Sequence, residues 1–167
     1  TKMKFPVSIL PATVVMKELF NHLCLMIILV VLFLIFGFYP NIHWFGLLYY
    51  LFCAVIFSIS LSMTTSVLNM LARDTRKLIL ACMRLLLYLT PVLWSPHKLD
   101  GHRILSVLMK FNPIDYIVQG YRDCFFFHQG LLSFGYQGLI FWGITILLLI
   151  VGSYMMYKFK HKFIDLM

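Results

Sequence analysis

The sequence predicts an all-α integral membrane protein, a polytopic helix bundle with a two-helix hairpin on its outer side. Three observations carry that expectation. The composition is 62% hydrophobic and only 12% charged, whereas a soluble domain is roughly half apolar and a quarter charged. The apolar residues gather in four runs, over 19–38, 44–71, 78–94 and 134–157, and most are near the ~20 residues that cross a bilayer. The formal charge of +8 is concentrated beside those runs.

Most of the fourteen Lys and Arg fall in three clusters: Lys2, Lys4 and Lys17; Arg73, Arg76 and Lys77; Lys158, Lys160 and Lys162. This placement is a positive-inside topology signal and not a basic patch for nucleic acid. Four crossings with all three clusters on one side put both ends of this segment in the cytoplasm. The four cysteines lack C-x-x-C spacing and read as small core residues.

Residues 1–18 form a cytoplasmic lead-in. Phe5, Pro6, Val7, Ser8, Ile9, Leu10 and Pro11 are bracketed by prolines, which limit a helix between them to a turn or two. The stretch is either a linker or a short helix offered to a soluble partner. The run over 19–38 is the first span, ended by the turn formers Gly37 to Asn41. In the second span, 44–71, Ala54, Ser58, Ser62 and Ser66 recur every four residues. Such a small-residue stripe serves helix packing, or forms the polar wall of a conduit.

The turn over 72–77, with Arg73, Asp74 and Arg76, leads into the third span, 78–94. That run carries Arg84 near its middle, with Tyr88 on the same face, and ends at Pro91 and Trp94. A charge inside a span is costly and marks a pathway or a partner. The alternatives are an arginine paired within the bundle and a cation lining a cavity for an anionic substrate.

The region 95–133 is more than a loop. Short helices are expected at 104–111 and 115–127, separated by the break at Asn112-Pro113. The second is too short to span, so it is re-entrant or lies at the interface. Asp115 is read as a possible cap of this helix. The fourth span, 134–157, is followed by a basic cytoplasmic tail over 158–167.

No phosphate-binding loop, zinc motif, nucleophile elbow or paired carboxylate set occurs. His97 and His102 have no cysteine near them, and Asp115 and Asp123 are unsupported as an acid–base pair. No catalytic, metal or cofactor site is therefore expected in this chain, and the energy for any work must come from a partner.

The residues Lys4-Phe5-Pro6 through Ile9-Leu10-Pro11, Arg73-Asp74-Thr75-Arg76, Arg84 to Tyr88 with Pro91 to Trp94, Phe111-Asn112-Pro113-Ile114 and Gly120-Tyr121-Arg122-Asp123 carry a resemblance. The chain resembles the permease subunits of ABC-2 exporters of cell-envelope polysaccharides, most closely those that translocate wall teichoic acid across the bacterial plasma membrane. The resemblance implies the last four of six spans. It implies a homodimer working with two copies of an ABC ATPase, which binds ATP and Mg, and a polymer carried on undecaprenyl diphosphate. Phe5 to Pro11 would dock on the ATPase, with Arg73, Asp74 and Arg76 as a lesser contact. The outer helices would cap or gate the exit. Arg84, Tyr88, Trp94, Tyr116, Tyr121 and Arg122 are the candidates for meeting the diphosphate and sugars. The competing readings are a permease for O-antigen, capsule or another envelope glycan, and a passive structural or channel-like membrane protein.

Overall fold

The computed structural model describes residues 9–72, 74–90, 111–127 and 135–165. Among them the chain is helical, in the order α1 (Leu10–Ile35), a 3-10 turn (Ile42–Phe45), α2 (Gly46–Leu71), α3 (Thr75–Leu89), α4 (Pro113–Arg122), a π-helical turn (Asp123–Phe127) and α5 (Tyr136–Asp165). Three stretches are long and apolar enough to cross a membrane: Leu10–Ile35, Ile42–Leu71 and Tyr136–Phe159.

α1 is one uninterrupted rod of 26 residues, ~39 Å at 1.5 Å per residue. The lead-in expected to end at residue 18 is continuous with the first span. Pro11 lies in the first turn, where a missing N–H costs nothing, so it starts the helix and does not break it. The outer end is closed by a Schellman turn. Gly37 takes φ 83°, the Phe38 N–H donates to the Phe33 carbonyl at 2.9 Å, and the Gly37 N–H donates to the Leu34 carbonyl at 3.2 Å. The Phe33 and Phe38 rings, 5.8 Å apart, seal it.

α2 is the post on which the bundle stands. Its side chains at Tyr50, Cys53, Phe57, Ser60 and Val67 are buried at helical spacing. α5 runs parallel to it, with Phe141 beside Phe57 and Thr64 Oγ1 3.1 Å from the Leu148 carbonyl oxygen. The approach is close because Gly152 has no side chain. A Cβ there would lie 2.8 Å from Thr64 Oγ1 and 3.1 Å from the Thr64 backbone nitrogen. The central cluster comprises Tyr50, Cys53, Phe57, Tyr116, Cys124 and Phe141, so α4 completes the core that α2 and α5 begin.

α3 has 15 residues, ~22 Å, and is shorter than the span expected over 78–94. The rest of that expected span, residues 91–94, lies outside the described residues. So do residues 104–110 of the helix expected at 104–111, together with Trp94, His97 and His102. The helix expected at 115–127 is found as α4 and the π turn, starting two residues earlier at Pro113.

Gly152→Leu will force α5 away from α2. The expected loss is about 1–3 kcal/mol of stability, read as a lower thermal transition of the purified permease; Gly143→Leu, which meets open space, serves as the control.

Candidate functional site

The features that set this bundle apart from a plain set of spans converge on α4. Asn112 begins it with an extended backbone, and its Oδ1 accepts the Ile114 N–H at 3.0 Å. Pro113 follows at the first helical position, where its fixed φ suits the helix. The cap is therefore Asn112, and Asp115, expected as a possible cap, sits inside the first turn instead. The other end of the Asn112 amide donates from Nδ2 to Thr90 Oγ1 at 3.0 Å. Both residues are buried, so the end of α3 and the start of α4 meet at one satisfied polar junction.

From that junction α4 runs antiparallel to α2, towards the end of the bundle where α2 begins. Gly120 lies under the Tyr50 ring, and Cys124 Sγ lies 2.7 Å from where a Gly46 Cβ would be. Asn112, eight residues before Gly120, is thus ~12 Å further along the bundle. α4 therefore lies along α2 and does not cross the end of the bundle. Its tip, the π turn, is held by rings: Phe125 by Trp44 at 5.3 Å and Phe33 at 5.1 Å, and Phe126 by Phe33 at 5.5 Å.

Three polar features line its buried side. The Tyr116 hydroxyl lies 3.5 Å from the Tyr49 hydroxyl, which accepts from Trp142 Nε1 at 3.0 Å. The Tyr116 ring stacks on Phe141 at 5.0 Å. The Tyr121 hydroxyl shares a 3.2 Å hydrogen bond with His22 Nε2 of α1, in a direction set by the imidazole tautomer. Asp115 is 6% exposed, and among the described residues its Oδ1 has no hydrogen-bond partner.

Beside His22, α1 and α2 part to leave a groove of about 480 Å³, walled by Val14, Glu18, His22 and Leu25 on one side and Ala54 and Ser58 on the other. The small-residue stripe of α2 accounts for the space: in this part it faces α1 across a gap. Ser66 Oγ donates to its own helix, to the Met63 carbonyl at 2.9 Å, and the Ser62 carbonyl accepts from Thr65 at 3.3 Å.

The other candidate residues are spread along the bundle. Ile9 is 48% exposed and Pro11 is buried at the inner end of α1, while residues 5–8 and Arg73 are outside the described part. Asp74 and Arg76 are exposed, and Asp74 pairs with Lys77 at 3.6 Å in full solvent, an ion pair of little energetic weight. Arg84 and Tyr88 lie on exposed faces of α3. Tyr116 and Tyr121 instead lie within the packed junction, so the proposed cations and aromatics are not one cluster in this conformation. Sequence reasoning missed His22, Thr90 and Thr64. His22 could have been noticed as a lone imidazole in an apolar run, but its partner is 99 positions away.

A family model described as "ABC-2 type transporter" matches residues 1–126. The chain belongs to that family. It is 28% identical over 99% of its length to the "O-antigen export system permease protein RfbA" of Klebsiella pneumoniae, and covers 62% of that protein. A second Klebsiella pneumoniae protein of the same description is 27% identical, again with 62% covered. A Myxococcus xanthus protein of that description is 24% identical over 77% of the chain. The chain thus spans about three-fifths of the length of the first of these relatives.

Proposed function

We propose that this chain is a part of the permease subunit of an ATP-driven exporter, moving a lipid-linked envelope polysaccharide of the O-antigen type outward across the bacterial plasma membrane. The observation that carries the reading is the family match over residues 1–126, joined to relatives described as O-antigen export permeases that align over 99% of the chain. The same relatives favour O-antigen over wall teichoic acid, the branch that the sequence motifs suggested. The α1–α2 groove also fits a neutral glycan better than a polyanion, because its lining holds one carboxylate, Glu18, and no Lys or Arg.

In this reading two permease copies form the conduit, and two ATPase copies below bind ATP and Mg. Both termini of the segment are cytoplasmic. The inner end of α1, from Phe5 to Pro11, receives the ATPase movement, with the turn at Arg73, Asp74 and Arg76 as a second contact. α4 and its aromatic tip close the outer end. Arg84 and Tyr88 on α3 meet the diphosphate of the undecaprenyl carrier, the arginine through charge-assisted hydrogen bonds.

Full-length permease reconstituted with its ATPase subunit tests the reading. Lipid-linked O-antigen will stimulate ATP hydrolysis more than a teichoic acid precursor does. The reverse order would restore the teichoic acid branch, and failure to bind an ATPase subunit would remove the exporter reading. Ile9→Asp, at the exposed start of α1, will leave the permease in the membrane but abolish substrate-stimulated hydrolysis; unchanged stimulation would sink the coupling role. Arg84→Ala will lower export at least 10-fold at equal permease abundance, and wild-type export would clear Arg84 of that role.

A further inference from the structure

We propose that His22 and Tyr121 are positioning residues for export, forming the hydrogen-bonded link through which α1 holds the helix α4 and carries movement to it. The proposal rests on the exporter reading above, and it starts from the shape of α1. After Pro11 the helix contains no proline and no glycine up to Ile35, so nothing in it can act as a hinge. A displacement at Ile9–Pro11 therefore reaches the outer end undiminished.

What α1 can move depends on what it grips, and it grips little. Apart from Pro11 its side chains are exposed or half-buried. Two of its contacts with the α4 region stand out. Towards its C-terminal end Phe33 lies against Phe125 and Phe126, an apolar contact that tolerates sliding. At its middle His22 meets Tyr121 edge-on, with ring centroids 5.9 Å apart and the 3.2 Å hydrogen bond between them. Of these two, the second is directional.

The surroundings make that bond matter. His22 stands where the polar part of α1, with Lys17, Glu18 and Asn21, gives way to apolar residues from Leu23 to Ile35, and its other side opens on the groove. On the side that faces α4 the tyrosine hydroxyl is the partner of Nε2, and losing it would leave a half-buried polar atom unpaired there, which is costly. A tyrosine phenol stays protonated across the physiological range, so the Tyr121 hydroxyl can donate or accept whichever tautomer His22 adopts. Tyr121 is in turn fixed on α4, whose backbone at Gly120 is pressed against Tyr50. Movement of His22 is thus passed to a helix that pivots on α2.

The test is a double-mutant cycle in full-length permease reconstituted with its ATPase subunit, scored as polysaccharide exported per ATP hydrolysed. His22→Phe keeps a ring and removes the bond, and Tyr121→Phe removes one oxygen. Each is expected to lower the ratio by roughly 3- to 10-fold, the effect of one net hydrogen bond. The double mutant is expected to be no worse than either single mutant. His22→Gln, which can still reach a hydroxyl, is expected to retain more than His22→Phe. Multiplying effects would mean that the two residues act separately and would overturn the proposal. So would an unchanged ratio in both single mutants, or loss of both from the membrane, which would make the pair a folding contact. A wild-type sample that exports no polysaccharide would instead overturn the function proposed above.

Discussion

The close approach of α5 to α2 at Gly152 is the contact from which the rest of the bundle follows. It brings Thr64 within hydrogen-bond distance of the Leu148 carbonyl oxygen and lets Phe141 reach Phe57 and Tyr116. Where lipid surrounds a protein, apolar burial does not drive helices together, so packing and satisfied polar groups must. The seam follows that rule. Ser60 and Thr145 are fully buried, and each hydroxyl donates to a carbonyl of its own helix, at 2.8 and 2.7 Å. Small polar side chains at the seam thus leave no donor unpaired while keeping the backbones near. The platform so formed is what α4 leans on.

α4 is the part that a simple bundle of spans would not need. Its start is tied to the end of α3 by Asn112 and Thr90, its middle is wedged against α2 and α5 by Tyr50, Tyr116 and Phe141, and its tip is clasped by rings from α1 and the turn after it. Each attachment comes from a different element. A movement of α1 relative to α2 would therefore act on α4 from two sides. The unpaired Asp115 oxygen and the opening beside His22 are the places where this packing is least complete.

Much of this was legible in the residues, because hydrophobic runs and their charged flanks are local signals. The three long apolar helices, the Gly37 terminus and the helix after Asn112-Pro113 all follow from such patterns. The role of Pro11 was not legible, since the same proline can end one helix or open another, and the following run decides which. Nor could the sequence separate an α4 that lies along α2 from one that crosses the end of the bundle. That distinction depends on Tyr50 meeting Gly120 and on Asn112 meeting Thr90, pairings between residues 70 and 22 positions apart. The small-residue stripe announced a face of α2 but not its neighbour: Thr64, a few residues on, faces α5, while Ala54 and Ser58 border the groove with α1. The motifs pointed to the ABC-2 family, to which the chain belongs, while their lean towards teichoic acid is not supported by relatives described as O-antigen export permeases.

The account turns on α4 descending into the bundle from the outer side. The most direct measurement is labelling of single cysteines placed one at a time from Pro113 to Phe127, in a cysteine-free full-length permease, with a membrane-impermeant thiol reagent added outside. The account predicts reactivity confined to the outer end, near the half-exposed Phe126, with protection from Ile114 to Gly120 on every face. Reactivity recurring every three or four residues along the whole segment, as on a helix lying at the membrane surface, would contradict it.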